Sequence, residues 1–172
     1  AIINRFAAGF LAGARYIDNS YTVEVNYVGG FADTTTAKAQ ATTMFNNGCD
    51  VVFHAAGGSG VGMFNAAEEL GFIAVGVNTN QNAMNPDYII ASMLKRVDNA
   101  AYMAIKSVVE GTFAGGTVTL SLADEGVGYT NEGSNIKLSD TIIAELDKIE
   151  TGIVSGEIVV PATLEEAAEY NK

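Results

Sequence analysis

Several residue types are scarce in this chain: it has no tryptophan, one histidine, one cysteine and two prolines. A single cysteine excludes an internal disulfide, and a single histidine excludes a zinc site built from several histidines. We expect Cys49 to be a buried structural thiol, because it precedes an apolar strand pattern. No apolar run approaches the roughly 18 residues that a transmembrane helix needs.

Basic residues are also scarce, with nine lysines and arginines against twenty aspartates and glutamates, for a net charge of −11. That balance argues against binding to nucleic acid or to an anionic membrane surface. The 172 residues, 48% of them hydrophobic, suffice for one domain with a sizeable core, or for one lobe of a larger protein.

The chain begins at Ala1 with neither a methionine nor a signal peptide, directly in a helix-like pattern. A start in the middle of a pattern predicts a processed or truncated chain. It therefore gives no indication of where the parent protein is located.

The most informative stretch runs from Asp50 to Ala67 and reads DVVFHAAGGSGVGMFNAA. The short apolar run Val51–Phe53 predicts a buried parallel strand, and the four glycines between 57 and 62 predict a loop. From Met63 onward, apolar residues recur at the spacing of a helix. Glycines let a ligand approach the backbone closely, although the same loop could be only a tight turn. The loop lacks the Lys-Ser/Thr ending of a P-loop and the GxGxxG spacing of dinucleotide-binding folds.

Strand and helix patterns alternate along the chain, which predicts an α/β fold with a parallel sheet between helices. The predicted strands cover 21–28, 51–56, 72–77, 88–94 and 117–122, and the predicted helices cover 1–17, 34–47, 60–70, 96–110 and 139–151. We further expect a loop over 126–133, a short extended piece at 157–161 and a fraying end over 164–172. Right-handed crossovers place the loops 29–33, 57–62 and 78–82 at one sheet edge, where small molecules bind by default.

No arrangement of residues predicts catalysis. His54 is expected to be structural or to line a ligand, and Ser59 does not lie in a GxSxG elbow. Asn78 and Asn80 can bond hydroxyls as donors and acceptors, or can simply form a turn. Lys95 lies where a strand meets a helix and could equally form a surface ion pair. We therefore predict a binding protein with no catalytic residues, no metal ligands and no cofactor.

Three segments, FHAAGGSGVGMFNAAEELG, VGVNTNQN and ASMLKRVDNAAYMAIKSVVEG, resemble in order and spacing the basic membrane protein (Bmp/PnrA-like) family. Members of that family are substrate-binding lipoproteins of nucleoside ABC importers with the two-lobed type I periplasmic-binding-protein fold. The resemblance spans about residues 5–161 and implies that 1–172 is a single C-terminal lobe. It implies further that the N-terminal lobe is absent and that the helix near 96–110 crosses toward it.

The same resemblance implies site residues. Asn80 and Lys95 occupy the family's ribose-binding positions, and both Asn78 and Asn80 replace usual aspartates. The loop that carries Phe31 and the loop residues Gly57, Gly58, Ser59 and Gly60 would border the base.

The implied function is that of an extracytoplasmic, membrane-anchored lipoprotein that delivers a purine nucleoside to an ABC permease. Two alternatives stay open at this point: a small α/β enzyme acting on a nucleoside or sugar, and a ligand-sensing surface lipoprotein. Because Phe6, Phe10, Ile105 and Val108 suggest an exposed apolar patch, we also expect the separated chain to self-associate.

Overall fold

Four strands form one sheet in the spatial order β1 (Val51–Phe53), β2 (Ile73–Gly76), β3 (Ile89–Lys95) and β4 (Val127–Thr130). The first three strands are parallel, and β4 is antiparallel to β3. This computed structural model describes residues 2–170. The helices are α1 (Ile2–Ile17), α2 (Thr34–Asn46), α3 (Gly60–Leu70), α4 (Val97–Val109), α5 (Asp140–Ser155) and α6 (Leu164–Ala168).

Successive residues of β1 show that helices cover both faces of the sheet, because neighbouring side chains of a strand point to opposite sides. Val52 is buried in a cluster with residues of α2 and α3. Phe53 contacts α1, with ring centroids 6.5 Å from Phe6 and 5.6 Å from Phe10. The predicted α/β layering is therefore confirmed.

Local signals in the sequence position α2 and α3. The side chain of Asp33 caps α2 by accepting a hydrogen bond from Thr36 N at 2.9 Å. Gly71, in the left-handed conformation with φ of 84°, ends α3. The helices predicted over 1–17, 34–47 and 60–70 are confirmed for the part that the structure describes.

The strand predicted over 21–28 is wrong, because this segment has no regular secondary structure. Its described contacts run to helices: Tyr27 Oη donates to Asn4 Oδ1 at 3.1 Å, and Gln40 Nε2 donates to the Tyr27 carbonyl at 2.9 Å. A high β-propensity reports only how well side chains fit a pleated surface, and pairing needs a partner.

Three predictions in the C-terminal third are also wrong. Residues 117–122 form no strand, whereas the expected loop 126–133 contains β4, which finds its partner in β3. The end of the chain does not fray from residue 164: α6 begins with a capping box at Thr163, and Ala167 is buried against Ala8 and Ala12 of α1. Of the stretch predicted to fray, only Asn171 and Lys172 lie outside the described residues.

The expected apolar patch is present only in part. Phe6 and Phe10 are half-buried against Phe53, whereas Ile105 and Val108 on α4 are 65% and 61% exposed. Between residues 2 and 170, no helix is both long enough and apolar enough to cross a lipid bilayer.

Candidate functional site

The carboxyl ends of β1 and β2 carry two of the predicted loops, and Ser59 joins the third loop to them. The Ser59 hydroxyl is fully buried, donates to the Gly30 carbonyl at 2.9 Å and accepts from Asp33 N at 2.8 Å. Ser59 N also donates to the Phe31 carbonyl at 3.1 Å. The loops 29–33, 57–62 and 78–82 therefore lie at one edge, as predicted, although no strand precedes the first of them.

The glycine loop is shaped by its neighbours. Gly57 has a φ of +56°, and a Cβ placed on it would lie 3.2 Å from the Phe31 Cβ. At Gly60 a Cβ would lie 2.0 Å from the His54 ring. Phe31 itself is 62% exposed, so an aromatic face is open to solvent beside the loop.

His54 lies beneath this edge and is 6% exposed. Its Nε2 lies 3.1 Å from Gln81 Oε1, and that oxygen already accepts from Val77 N at 2.7 Å. The Gln81 oxygen is thus an acceptor, which assigns the imidazole proton to Nε2, while Nδ1 accepts from Ala56 N at 3.4 Å. Burial lowers the pKa of His54, against a smaller opposing effect of the Gln81 bond. The ring is a neutral structural link between two loops.

Asn78 and Lys95 are neighbours at the ends of β2 and β3. Lys95 N donates to the Asn78 carbonyl at 2.9 Å, and Asn78 adopts a φ of 69°. The Lys95 side chain is exposed, and its ammonium has no hydrogen bond or ion pair with any residue that the structure describes. Arg96 differs, because its guanidinium pairs with Asp98 at 2.8 Å. Lys95 therefore supplies an uncommitted positive charge at the edge.

Asn80 is bonded within the protein through both ends of its amide. Its Oδ1 accepts from Asn82 N at 3.0 Å, and its Nδ2 donates to the Glu132 carbonyl at 3.1 Å. The first bond is a turn-forming contact typical of asparagine. The side chain thus holds its own loop against the chain that follows β4.

Sequence reasoning missed a polar network under the same edge. Gln81 N donates to Ser92 Oγ at 3.0 Å, and the Ser92 hydroxyl donates to Asn82 Oδ1 at 2.7 Å. Asn82 Nδ2 donates in turn to the carbonyls of Thr130 and Glu132, at 3.0 and 2.9 Å. Ser92 and Asn82 are fully buried. The only sequence signal was a run of amide residues, VNTNQN, which cannot distinguish a buried amide from an exposed one.

Cys49, the single cysteine, is a half-buried free thiol at the start of β1. Burial raises its pKa, and the nearby carboxylates Glu24 and Asp50 raise it further. A thiol of raised pKa is largely protonated at neutral pH, and the thiol is a weaker nucleophile than the thiolate. The burial that the sequence predicted is only partial, and the structural role stays a prediction.

The chain is similar in sequence to several characterised bacterial proteins. Basic membrane protein D of Borreliella burgdorferi (strain JD1) is 36% identical over 165 residues, which cover 93% of this chain and 48% of that protein. The ABC transporter nucleoside-binding protein BmpA of Lactococcus lactis is 28% identical and is matched over 50% of its length. The chain spans about half the length of the curated relatives it matches.

Solved structures agree on the fold. An ABC transporter system solute-binding protein from Aeropyrum pernix K1 superposes with a TM-score of 0.75 at 30% identity, over 95% of this chain and 56% of that one. A transcriptional activator of the comK gene from Bacillus halodurans gives a TM-score of 0.79 over 88% of this chain and 53% of that one. Because the two sequences are only 23% identical, this match shows that they share a fold and shows nothing about function.

The model of the Bmp family, described as ABC transporter substrate-binding protein PnrA-like, matches residues 1–164. This match covers nearly the whole chain and includes every residue of the edge described above. The chain therefore belongs to the Bmp family of PnrA-like ABC transporter substrate-binding proteins.

Proposed function

We propose that this sheet edge is one wall of the ligand cleft of an ABC importer's solute-binding protein, and that the ligand is a purine nucleoside. The observation that carries the proposal is the convergence of three loops at the sheet edge where β3 ends at Lys95, whose backbone N–H bonds the Asn78 carbonyl and whose ammonium is uncommitted. Family membership and the name of the Lactococcus lactis relative support the same function.

The chemistry of the edge suits a nucleoside. The exposed ring of Phe31 beside Gly57 and Gly58 offers an apolar surface on which a base can stack. Lys95 can donate to ribose hydroxyls, and a hydrogen bond to a charged group contributes roughly 1.5–3 kcal/mol. The backbone at Asn78 lies beside it and completes the polar side of the wall.

The opposite wall belongs to the half of the protein outside this chain. Helix α4 has no buried residue, and its apolar stripe, Val97, Ala101, Ile105 and Val108, is exposed. Its half-buried positions, which include Ala100 and Ser107, lie on another side of the helix. We assign the stripe to packing against the other lobe, in a protein held outside the cytoplasm and working with an ABC permease.

An exposed stripe of this kind also tends to find another apolar surface. The chain separated from the other lobe is therefore expected to self-associate. Light scattering that shows only monomer at high concentration contradicts that expectation.

Calorimetry of the full-length protein with adenosine or guanosine tests the ligand. Lys95→Ala is expected to weaken binding about 10- to 100-fold, since each factor of ten corresponds to about 1.4 kcal/mol. Lys38→Ala is the matched control, because it removes the same charge from a surface ion pair with Glu69 on the far end of α3. The control should bind as the parent does, and this chain alone should bind weakly or not at all.

Asn80→Ala tests which ligand group the loop recognises. If Asn80 contacts ribose, the variant loses affinity for nucleosides while free bases bind unchanged. Nucleoside affinity that neither Lys95→Ala nor Asn80→Ala alters shows that the proposed roles of these residues are wrong. No measurable nucleoside binding to the unaltered full-length protein shows that the proposed ligand class is wrong.

A further inference from the structure

Loop 78–82 carries Asn78 and Asn80 at the sheet edge, yet it has almost no regular structure of its own. It follows β2 without a helix or strand until the short 3₁₀ turn Asn82–Met84. An irregular loop presents its groups in one place only if neighbouring elements hold it there. The contacts that hold this loop therefore bear directly on what the edge can bind.

Ser92 supplies the first of these contacts from the middle of β3. Its hydroxyl is fully buried, accepts a hydrogen bond from Gln81 N at 3.0 Å and donates one to Asn82 Oδ1 at 2.7 Å. The strand register pairs Ser92 with Gly76 of β2, and a Cβ on Gly76 would lie 2.5 Å from the Ser92 oxygen. The absence of a side chain at position 76 therefore makes room for this hydroxyl.

Asn82 extends the link to the edge strand β4. Its Nδ2 donates to the carbonyls of Thr130 and Glu132, at 3.0 and 2.9 Å. Asn80 Nδ2 donates to the same Glu132 carbonyl at 3.1 Å. Because Asn82 is 0% exposed, it cannot touch a ligand itself. Its side-chain bonds instead fasten the loop between β3 and the end of β4.

The glycine loop joins the same network through the side chain of Gln81. The Gln81 Oε1 accepts from Val77 N at 2.7 Å and lies 3.1 Å from His54 Nε2. The His54 ring in turn fills the space beside Gly60, where a Cβ would lie 2.0 Å from it. One continuous set of hydrogen bonds therefore runs from β4, through Ser92, to the strand end that carries the glycine loop.

We propose that Ser92 and Asn82 are positioning residues of the ligand site. They fix loop 78–82 relative to β4 and to the glycine loop before a ligand arrives, and they do so without contacting the ligand. The proposal rests on the proposed function for the identity of the ligand, a purine nucleoside. When these bonds are lost the loop moves, so part of the binding free energy goes into ordering it again.

Calorimetry and urea unfolding of the full-length protein separate positioning from stability, with whichever of adenosine and guanosine the parent binds more tightly as the probe. Ser92→Ala is expected to weaken binding about tenfold, since Gln81 N loses its buried acceptor. Ser134→Ala is the matched control, because its hydroxyl is equally buried but bonds to Pro86 and Ile136, outside loop 78–82.

Both serine variants should unfold at a lower urea concentration than the parent, and only Ser92→Ala should lose affinity. The proposal is overturned if Ser92→Ala loses stability but binds as the parent does. It is equally overturned if Ser134→Ala weakens binding as much as Ser92→Ala, because the effect would then be one of stability alone.

Hydrogen–deuterium exchange of the ligand-free, full-length protein gives a reading that does not depend on the ligand. Asn82→Asp keeps the shape of the side chain but sets a carboxylate oxygen against the carbonyls of Thr130 and Glu132. Amides of residues 78–82 should exchange at least fivefold faster in Asn82→Asp and in Ser92→Ala than in the parent, and at the parental rate in Ser134→Ala.

Parental exchange of residues 78–82 in both Asn82→Asp and Ser92→Ala contradicts positioning. If the unaltered protein binds neither adenosine nor guanosine, the proposed ligand is wrong. The exchange rates then decide by themselves whether Ser92 and Asn82 hold the loop in place.

Discussion

Gly62→Ala tests the closest approach between α2 and α3. A Cβ built on Gly62 would lie 1.9 Å from the Thr34 carbonyl oxygen, 2.8 Å from the Thr34 carbonyl carbon and 3.0 Å from Lys38 N. All three atoms belong to the backbone of α2 or its first turn, so no side chain can rotate away. The helices must separate by more than an ångström, which loosens the core cluster of Ala41 and Ala66.

The magnitude follows from two opposing effects. Overpacking of a tight interior typically costs 1–3 kcal/mol and occasionally more, and a backbone clash belongs at the upper end, at about 3 kcal/mol or beyond. Replacing glycine by alanine in a helix returns about 1 kcal/mol. The expected net loss of unfolding free energy is about 2–3 kcal/mol. With a urea dependence of about 2 kcal/mol per molar, the unfolding midpoint should fall by about 1–1.5 M.

Urea unfolding followed by circular dichroism measures the effect, with Gly13→Ala as the matched control. Gly13 lies in α1 and a Cβ there would meet nothing within 4 Å. This control should therefore gain about 0.5–1 kcal/mol from helix propensity alone. The reasoning is refuted if Gly62→Ala unfolds at the parental midpoint or above it, because α2 and α3 would then have room that the geometry denies.

Two further predictions concern the site edge. Ser59→Ala leaves the Gly30 carbonyl and the Asp33 amide without their buried partner, so it should cost about 1–3 kcal/mol in urea unfolding, whereas exposed Ser20→Ala should cost nothing measurable. His54 has a folded pKa below the usual 6.5, so its contribution to stability is complete above that pH and is lost as the pH falls through the range below it. The single histidine signal in an NMR titration should have its midpoint below 6.5, and a midpoint above 6.5 contradicts the buried neutral ring.

Local signals in the sequence predicted the central unit of the fold. The run from Asp50 to Ala67 contains its own apolar strand, its glycine turn and its helical stripe, and the structure has all three. The sequence did not show which distant segments would pair as strands. The stretch 126–133 reads as a loop because of its glycines, yet Val127–Thr130 joins the sheet by pairing with Ser92–Lys95 of β3. Residues 117–122 alternate like a strand but meet no partner.

For the site too, the sequence predicted the positions of loops but not the contacts of individual side chains. The convergence of loops 57–62 and 78–82 follows from parallel strands, so their position at one edge was predicted correctly. The ligand-binding roles of Phe31, the glycine loop, Asn78 and Lys95 stay predictions. The burial of Ser59 and the double engagement of Asn80 depend on contacts with distant residues, Gly30 for the first and Glu132 for the second. A sequence alone does not show which amides and hydroxyls the protein itself will occupy.

The Gln81 amide has a consequence for selectivity. Its oxygen is held by Val77 N and His54 Nε2, so the amide cannot flip, and its Nε2 has no acceptor among the residues that the structure describes. Any ligand atom that reaches this amide therefore meets hydrogens in a fixed orientation. If the ligand reaches this amide in the cleft that we propose, a carbonyl oxygen or an unprotonated ring nitrogen can accept a hydrogen bond from it, whereas the hydrogens of an amino group cannot pair with it.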